Sequence, residues 1–176
     1  ILPDFECIPQ SVFNISDVEE TGKDFEENAI LKAKNAFTKT NISSVGDDSG
    51  LIVPAINNEP GLYSARYAGL NATDSDNRNK LISKLKDNKL ESTYAYFFCC
   101  IVAVGIKGQN EIIVCDGKVE GEVRTIERGE KGFGYDPMFY PKGYSESFAE
   151  LNSLEKNKIS HRGQALKKLM DKLNKT

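Results

Sequence analysis

The sequence predicts a mixed α/β domain. Three observations carry this: apolar residues at helical spacing over 24–39, a second amphipathic stretch over 73–87, and an almost unbroken aromatic and β-branched run over 93–104. The first two place their apolar side chains on one face only if the chain is helical. The third reads as a strand buried on both faces. At 176 residues the chain is about one domain, long enough to bury a sizeable core. No repeat, low-complexity tract or linker argues for a second independent domain.

Taken in order, residues 1–18 mix apolar and polar without period, with a short strand over Glu6–Ile8 before Pro9. Asp24 then supplies a cap and Glu27, three residues on, the other half of a capping box; Ala29, Leu31, Ala33, Ala36 and Phe37 follow at helical spacing. Leu51–Ile56 reads as strand, and Asn57–Gly61 as a turn. The stretch Leu62–Gly69, with aromatics flanking Arg66, fits either an aromatic loop anchored in the core or a loop on the substrate side. Leu81, Ile82 and Leu85 define the second helix. After the buried strand, Lys107–Asn110 turns the chain, and Glu111–Val114 and Gly117–Thr125 read as two further strands in hairpin arrangement. A last helix carries Leu166, Leu169, Met170 and Leu173, with Ser160 as its cap.

Composition narrows the function. With 23 basic against 26 acidic residues and a net charge of -3, no basic footprint points to nucleic acid as the main partner. Cys7, Cys99, Cys100 and Cys115 lack the CxxC spacing of a zinc site, and a vicinal pair in an apolar run is no disulfide framework, so reduced core residues are expected. No apolar segment reaches the roughly 18 residues that cross a bilayer, and no charged-then-apolar leader opens the chain; a cytoplasmic location is expected.

Three clusters concentrate chemistry. In Val45-Gly46-Asp47-Asp48-Ser49-Gly50-Leu51 two carboxylates and a hydroxyl sit between glycines, which disfavour a strand interior, so the cluster is placed where a strand ends or pauses. If extended, the backbone sends Asp48 to one face and Asp47 and Ser49 to the other. Adjacent carboxylates repel unless a cation or donors intervene, and hard oxygen ligands suit Mg²⁺. An Asx-type turn is the structural alternative. Glu27, in the first turn of its helix, and Lys32, about one turn later, can bring a carboxylate and an ammonium toward one anionic ligand, or simply decorate the surface.

In Gly132-Phe133-Gly134-Tyr135-Asp136-Pro137, flanking glycines leave the Phe133 ring unshielded, as a base-stacking platform or as the core anchor of a glycine turn. In Lys156-Asn157-Lys158-Ile159-Ser160-His161-Arg162-Gly163, the only His of the chain and Arg162 fall at a helix N-terminus, which favours anions and disfavours a cationic side chain. A ligand is the expected reason for Arg162 to stand there; a plain helix cap is the alternative.

Thr21-Gly22, Phe25-Glu26-Glu27-Asn28-Ala29, Asp47-Asp48-Ser49-Gly50-Leu51, Pro60-Gly61-Leu62-Tyr63-Ser64-Ala65-Arg66-Tyr67, Gly132–Pro137 and Ser160-His161-Arg162 follow one another in this order. Together they resemble the noncanonical purine nucleoside triphosphate pyrophosphatases, the RdgB-like inosine triphosphatases. The resemblance implies Mg²⁺-dependent hydrolysis of ITP, dITP or XTP to the monophosphate and pyrophosphate. It also implies an elongated mixed β-sheet flanked by helices, two lobes with a central cleft, and a homodimer. By position, Glu27 and Asp48 are expected to hold the metal, Asp48 to activate the attacking water, Asp47 to assist and Lys32 to meet the phosphates. Ser49 is expected against the nucleotide; Phe133, Gly134, Tyr135 and Asp136 around the base; and Lys156, His161 and Arg162 at the purine's 6-keto edge. Such proteins open with a strand, a Ser/Thr-Gly-Asn-x-x-Lys loop and a helix; this sequence starts at Ile1-Leu2-Pro3 near the end of that helix, so an N-terminally truncated chain is expected. The alternative is a nucleotide-binding protein with impaired catalysis.

Overall fold

Asp24 starts the first long helix, α1 (Phe25–Thr40): its carboxylate accepts the Glu27 N–H at 2.8 Å. The Glu27 side chain reaches back to the Lys23 N–H at 2.8 Å, one residue beyond the reciprocal bond of the usual capping box. Asn41, left-handed at φ 56°, ends it. The computed structural model describes residues 5–106 and 111–174. A five-stranded sheet runs in the order β2-β1-β3-β4-β5, formed by β1 (Ser44–Val53), β2 (Glu59–Pro60), β3 (Ser92–Val104), β4 (Ile112–Arg124) and β5 (Phe139–Pro141). Both edge pairs are antiparallel, with Val53 opposite Glu59 and Val123 opposite Phe139. Helix α2 (Asp74–Asp87) is capped by Thr73 and Asp76 in a reciprocal capping box, and α3 (Ser153–Ile159) and α4 (His161–Leu173) close the chain.

Several expectations are corrected. Glu6–Ile8 is not a strand: the segment is exposed and leads into a 3-10 turn over Gln10–Phe13, and without a buried face nothing selects an extended pairing there. The acidic cluster does not lie at a strand end, because β1 runs through Gly46–Gly50 and stops at Val53, where Pro54–Ile56 forms a 3-10 turn. The two strands read over 111–125 are one, since the alternation of buried and exposed residues continues through Cys115 and Asp116. Helix α3 was not anticipated; Ser160 ends it, its N–H donating to Lys156 O at 2.8 Å, directly before α4. Cys7 is exposed, unlike the buried Cys99, Cys100 and Cys115. The expected turn at Lys107–Asn110 lies outside the described residues.

Packing divides the chain into two compact units. The first comprises the chain up to Asp48, Cys99–Gly117 and Arg162 onward. Its core joins Cys99, Ile101 and Ala103 of β3, Ile113 and Cys115 of β4, and Ala165 and Leu169 of α4. Here Gly46 lets β1 approach α1 closely: a Cβ at this position would lie 2.6 Å from the Ala33 nitrogen and 2.7 Å from the Ala29 carbonyl oxygen. The second unit comprises Ser49–Phe98 and Lys118–His161. Its core gathers Leu51 and Val53, Leu81 and Leu85, Phe97, Val119 and Val123, and Met138, Phe139 and Phe148. Phe97 lies edge-on to Phe139 at 4.8 Å and stacks on His161 at 4.7 Å.

Candidate functional site

In the first unit the extended backbone of β1 separates the two carboxylates as the alternation requires. Asp48 is buried, and Asp47 half-exposed. Asp48 Oδ1 pairs with Lys32 Nζ at 2.7 Å, and its Oδ2 accepts from Asn28 Nδ2 at 3.2 Å. Asn28 is one helical turn before Lys32, so both donors stand on the same face of α1. The Asn28 side-chain oxygen Oδ1 accepts the Gly22 N–H at 2.8 Å, tying the Thr21-Gly22 segment to the same point. Lys32 also pairs with Glu20 at 2.7 Å and donates to the Asp47 carbonyl at 3.1 Å. Burial raises the Asp48 carboxyl above the ordinary aspartate range, and the Lys32 and Asn28 bonds offset only part of that. For Lys32, burial works against the charged form, but the bonds to Asp48 and Glu20 prevail and hold the ammonium above its ordinary value.

Arg162, at the start of α4, reaches Asp47: Nε and Nη2 donate to Asp47 Oδ2 at 3.0 and 2.7 Å. Asp47 thus gives the cation at this helix start a partner on the protein itself. Each side chain of the pair keeps about 40% exposure, 39% for Arg162 and 40% for Asp47. Glu27 is exposed and occupied by its cap.

As a cation site, this unit offers hard oxygens of the type Mg²⁺ takes. No three acidic, His or Cys side chains converge as a metal cage among the described residues. Asp48 and Glu27 each carry carboxylate oxygens, the donor type of an ion that keeps waters and draws other ligands from phosphate. The donor chemistry fits; an all-protein cage does not.

The second unit carries the aromatic cluster. Gly132 and Gly134, at φ 79° and 58°, hold left-handed conformations on either side of Phe133. The Phe133 ring is 59% exposed, so the core-anchor alternative is set aside. Asp136 is buried; its Oδ2 accepts the Phe133 N–H at 2.8 Å and pairs with Lys156 Nζ, which lies 5.0 Å from the centre of the Phe133 ring. A Cβ on Gly132 would stand 2.0 Å from that Asp136 oxygen, so glycine is required here by space as well as by φ.

Tyr135 departs from expectation. Its ring is buried in the core and its hydroxyl donates to the Ser64 carbonyl at 2.9 Å, so its side chain supports the loop from within and is not presented beside Phe133. Burial pushes its phenol well above the usual range. Ser64 in turn accepts the Leu51 N–H at 3.0 Å and donates to Gly61 O at 2.7 Å, which anchors the 61–66 loop beside Ser49's strand. The anchored reading of that loop holds for Ser64 and for Tyr67, whose hydroxyl donates to Glu59 at 2.6 Å, while Tyr63 stays exposed. Ser49 is half-buried and His161 buried.

Sequence reasoning assigned no role to Asn28, Glu20 or Ser64. For Asn28 a signal existed: a polar residue four before Lys32, on a helix face that Ala29 and Ala33 mark as buried.

A protein of Idiomarina loihiensis named dITP/XTP pyrophosphatase is 47% identical over 167 residues, covering 95% of this chain and 83% of that protein. One of the same name from Legionella pneumophila (strain Paris) is 48% identical over 163 residues, covering 93% and 84%. The solved structure of a HAM1 protein from Coxiella burnetii superposes with a TM-score of 0.87 at 43% identity, covering 96% of this chain and 86% of that one. The sequence pattern of the Ham1 family matches residues 2–172, and the chain belongs to that family.

Proposed function

We propose that this protein hydrolyses noncanonical purine nucleoside triphosphates, dITP, XTP and ITP, to the monophosphate and pyrophosphate. The observation that carries the reading is Asp48: a buried carboxylate inside a strand, held between an ammonium and an amide, with burial raising its proton affinity above that of an ordinary aspartate. Relatives nearly half identical over almost the whole chain carry the name of this activity. The alternative of a nucleotide-binding chain without turnover has no comparable support.

In this reading Asp48 accepts a proton from the attacking water. The water oxygen bonds to the α-phosphorus, the bond from that phosphorus to the bridging oxygen breaks, and the electron pair leaves with pyrophosphate. Lys32, fixed by Glu20 and Asp48, presents its ammonium to the phosphates. Asp47 keeps Arg162 extended. The exposed Phe133 face receives the purine, with Lys156, Asp136, Ser49, Gly134 and His161 around the nucleoside. Mg²⁺ would be held by Asp48 and Glu27 and would neutralise phosphate charge, as phosphoryl transfer demands. A homodimer and a cytoplasmic location complete the proposal. Three buried free cysteines agree with a reducing compartment, and no helix among the described residues is long and apolar enough to cross a membrane.

Turnover of dITP in ¹⁸O water tests the chemistry. Label in the monophosphate and none in pyrophosphate is the expected result, and label in pyrophosphate would reject attack at the α-phosphorus. Light scattering should give roughly twice the 19.5 kDa chain mass.

A further inference from the structure

The Phe133 ring is 59% exposed, with Lys156 Nζ 5.0 Å from its centre, and it stands between two left-handed glycines. The flanking peptide groups are gripped from α2. Asp74, the first residue of that helix, accepts the Gly134 N–H on Oδ2 at 2.6 Å, a charge-assisted bond. Arg78, one turn on and on the same helix face, donates Nη1 to the Gly134 carbonyl at 2.9 Å. Arg78 is itself steadied by Glu127, 3.1 Å from its Nε, and its side chain is only 17% exposed. The N–H and C=O of one left-handed glycine are thus both held by the same helix, immediately after the stacking residue.

The geometry points to Asp74 and Arg78 as positioning residues for purine recognition: together they fix Gly134 and so aim the Phe133 ring. This rests on the reading of Phe133 as the base platform. Neither side chain needs to touch the nucleotide. Their effect is on the cost of ordering the loop when the base binds, and so on KM, with the chemical step left alone.

Steady-state hydrolysis of dITP tests the inference through a double-mutant cycle. Phe133→Ala should raise KM on the order of tenfold, as loss of a stacking platform does. Arg78→Met and Asp74→Ala should each raise KM by roughly three- to tenfold with kcat within about twofold, while Asp74→Asn, which keeps an acceptor for the Gly134 N–H, should recover most of the loss. In the Phe133→Ala background Arg78→Met should change KM hardly at all. An equal rise in both backgrounds, or no rise in the wild-type background while Phe133→Ala has its effect, would overturn the positioning role. A wild-type KM for Phe133→Ala would instead remove the platform reading and this inference with it.

A second measurement needs no turnover. The chain has no Trp, so Phe133→Trp installs a single reporter at the ring. Its fluorescence anisotropy in the nucleotide-free protein should fall when Asp74→Ala or Arg78→Met is added, with the thermal midpoint little changed. Unchanged anisotropy in both would show that the clamp does not hold the ring.

Discussion

At residue scale the distinction that matters is between groups that hold the structure and groups that the structure holds ready. In the proposed function Asp48 is of the second kind. Replacing it with Asn keeps the shape and leaves Lys32 with Glu20 and the Asp47 carbonyl, so folding should survive. Asp48→Asn is expected to lower kcat for dITP by about 10²–10⁴-fold, as loss of a positioned base does. Near-wild-type turnover at saturating Mg²⁺ would refute the role. Arg162 poses the same question for selectivity. Its pair with Asp47 is about 40% exposed on both sides, and pairs of that kind contribute only about 0–1 kcal/mol, so a change in activity on removing it cannot be charged to unfolding. Arg162 is donor-only, and donors facing a 6-amino group in place of a 6-keto oxygen are left unpaired. Arg162→Ala should therefore lower kcat/KM for ITP much more than for ATP; a parallel fall for both would assign it to the phosphates. Much at this scale was legible in the sequence. The opposite faces of Asp47 and Asp48 followed from strand alternation alone. Tyr135 was not legible, because a tyrosine between a glycine and an aspartate reads the same whether its ring faces a ligand or the core; only the Ser64 carbonyl, distant in sequence, decides.

At the scale of elements, local signals succeeded wherever the cause of the element was local. Helices α1 and α2 begin where their capping residues stand, Asp24 and Thr73, and these are short-range hydrogen bonds readable as sequence. The strand through Gly46–Gly50 was misread because its cause is not local. Glycine and aspartate have poor strand propensity, yet here Gly46 is selected by the approach of α1, whose Ala29 and Ala33 backbone leaves no room for a Cβ. The atoms in the way belong to helix backbone and cannot swing aside. Gly46→Ala is accordingly expected to destabilise by about 1–3 kcal/mol, and, since β1 carries Asp48, to reduce kcat as well. A thermal midpoint lowered by several degrees in scanning calorimetry would agree with this. An unchanged midpoint would mean that β1 and α1 separate freely, and that Asp48 is held less firmly than its bonds to Asn28 and Lys32 indicate.

At the scale of the whole molecule, composition foretold a reduced, cysteine-bearing core, and it did so for Cys99, Cys100 and Cys115 but not for Cys7, since hydrophobic context marks burial only where a segment is packed. The difference has a pH consequence. Burial, reinforced by the nearby carboxylates Glu26, Asp116 and Asp24, pushes the Cys100 thiol from 9.0 up to about 12, and burial raises Cys115 as well. The folded state therefore keeps protons that the unfolded state releases, and stability must fall as pH rises. The loss begins near the unfolded thiol value of 9.0 and runs to about 12 for Cys100, by at most about 1.4 kcal/mol per pH unit for each such thiol. Tyr67 and Tyr135 are raised too, but from 10.0, so the interval between 9.0 and 10.0 belongs mainly to the thiols. Urea unfolding under reducing conditions should show stability flat from pH 7 to 8.5 and declining above, with the slope reduced in Cys100→Ala. At pH 8 a disulfide reagent should modify Cys7 rapidly and the three buried thiols only on the timescale of unfolding. Fast modification of all four would show that the core of the first unit opens far more readily than its packing of β3, β4 and α4 implies.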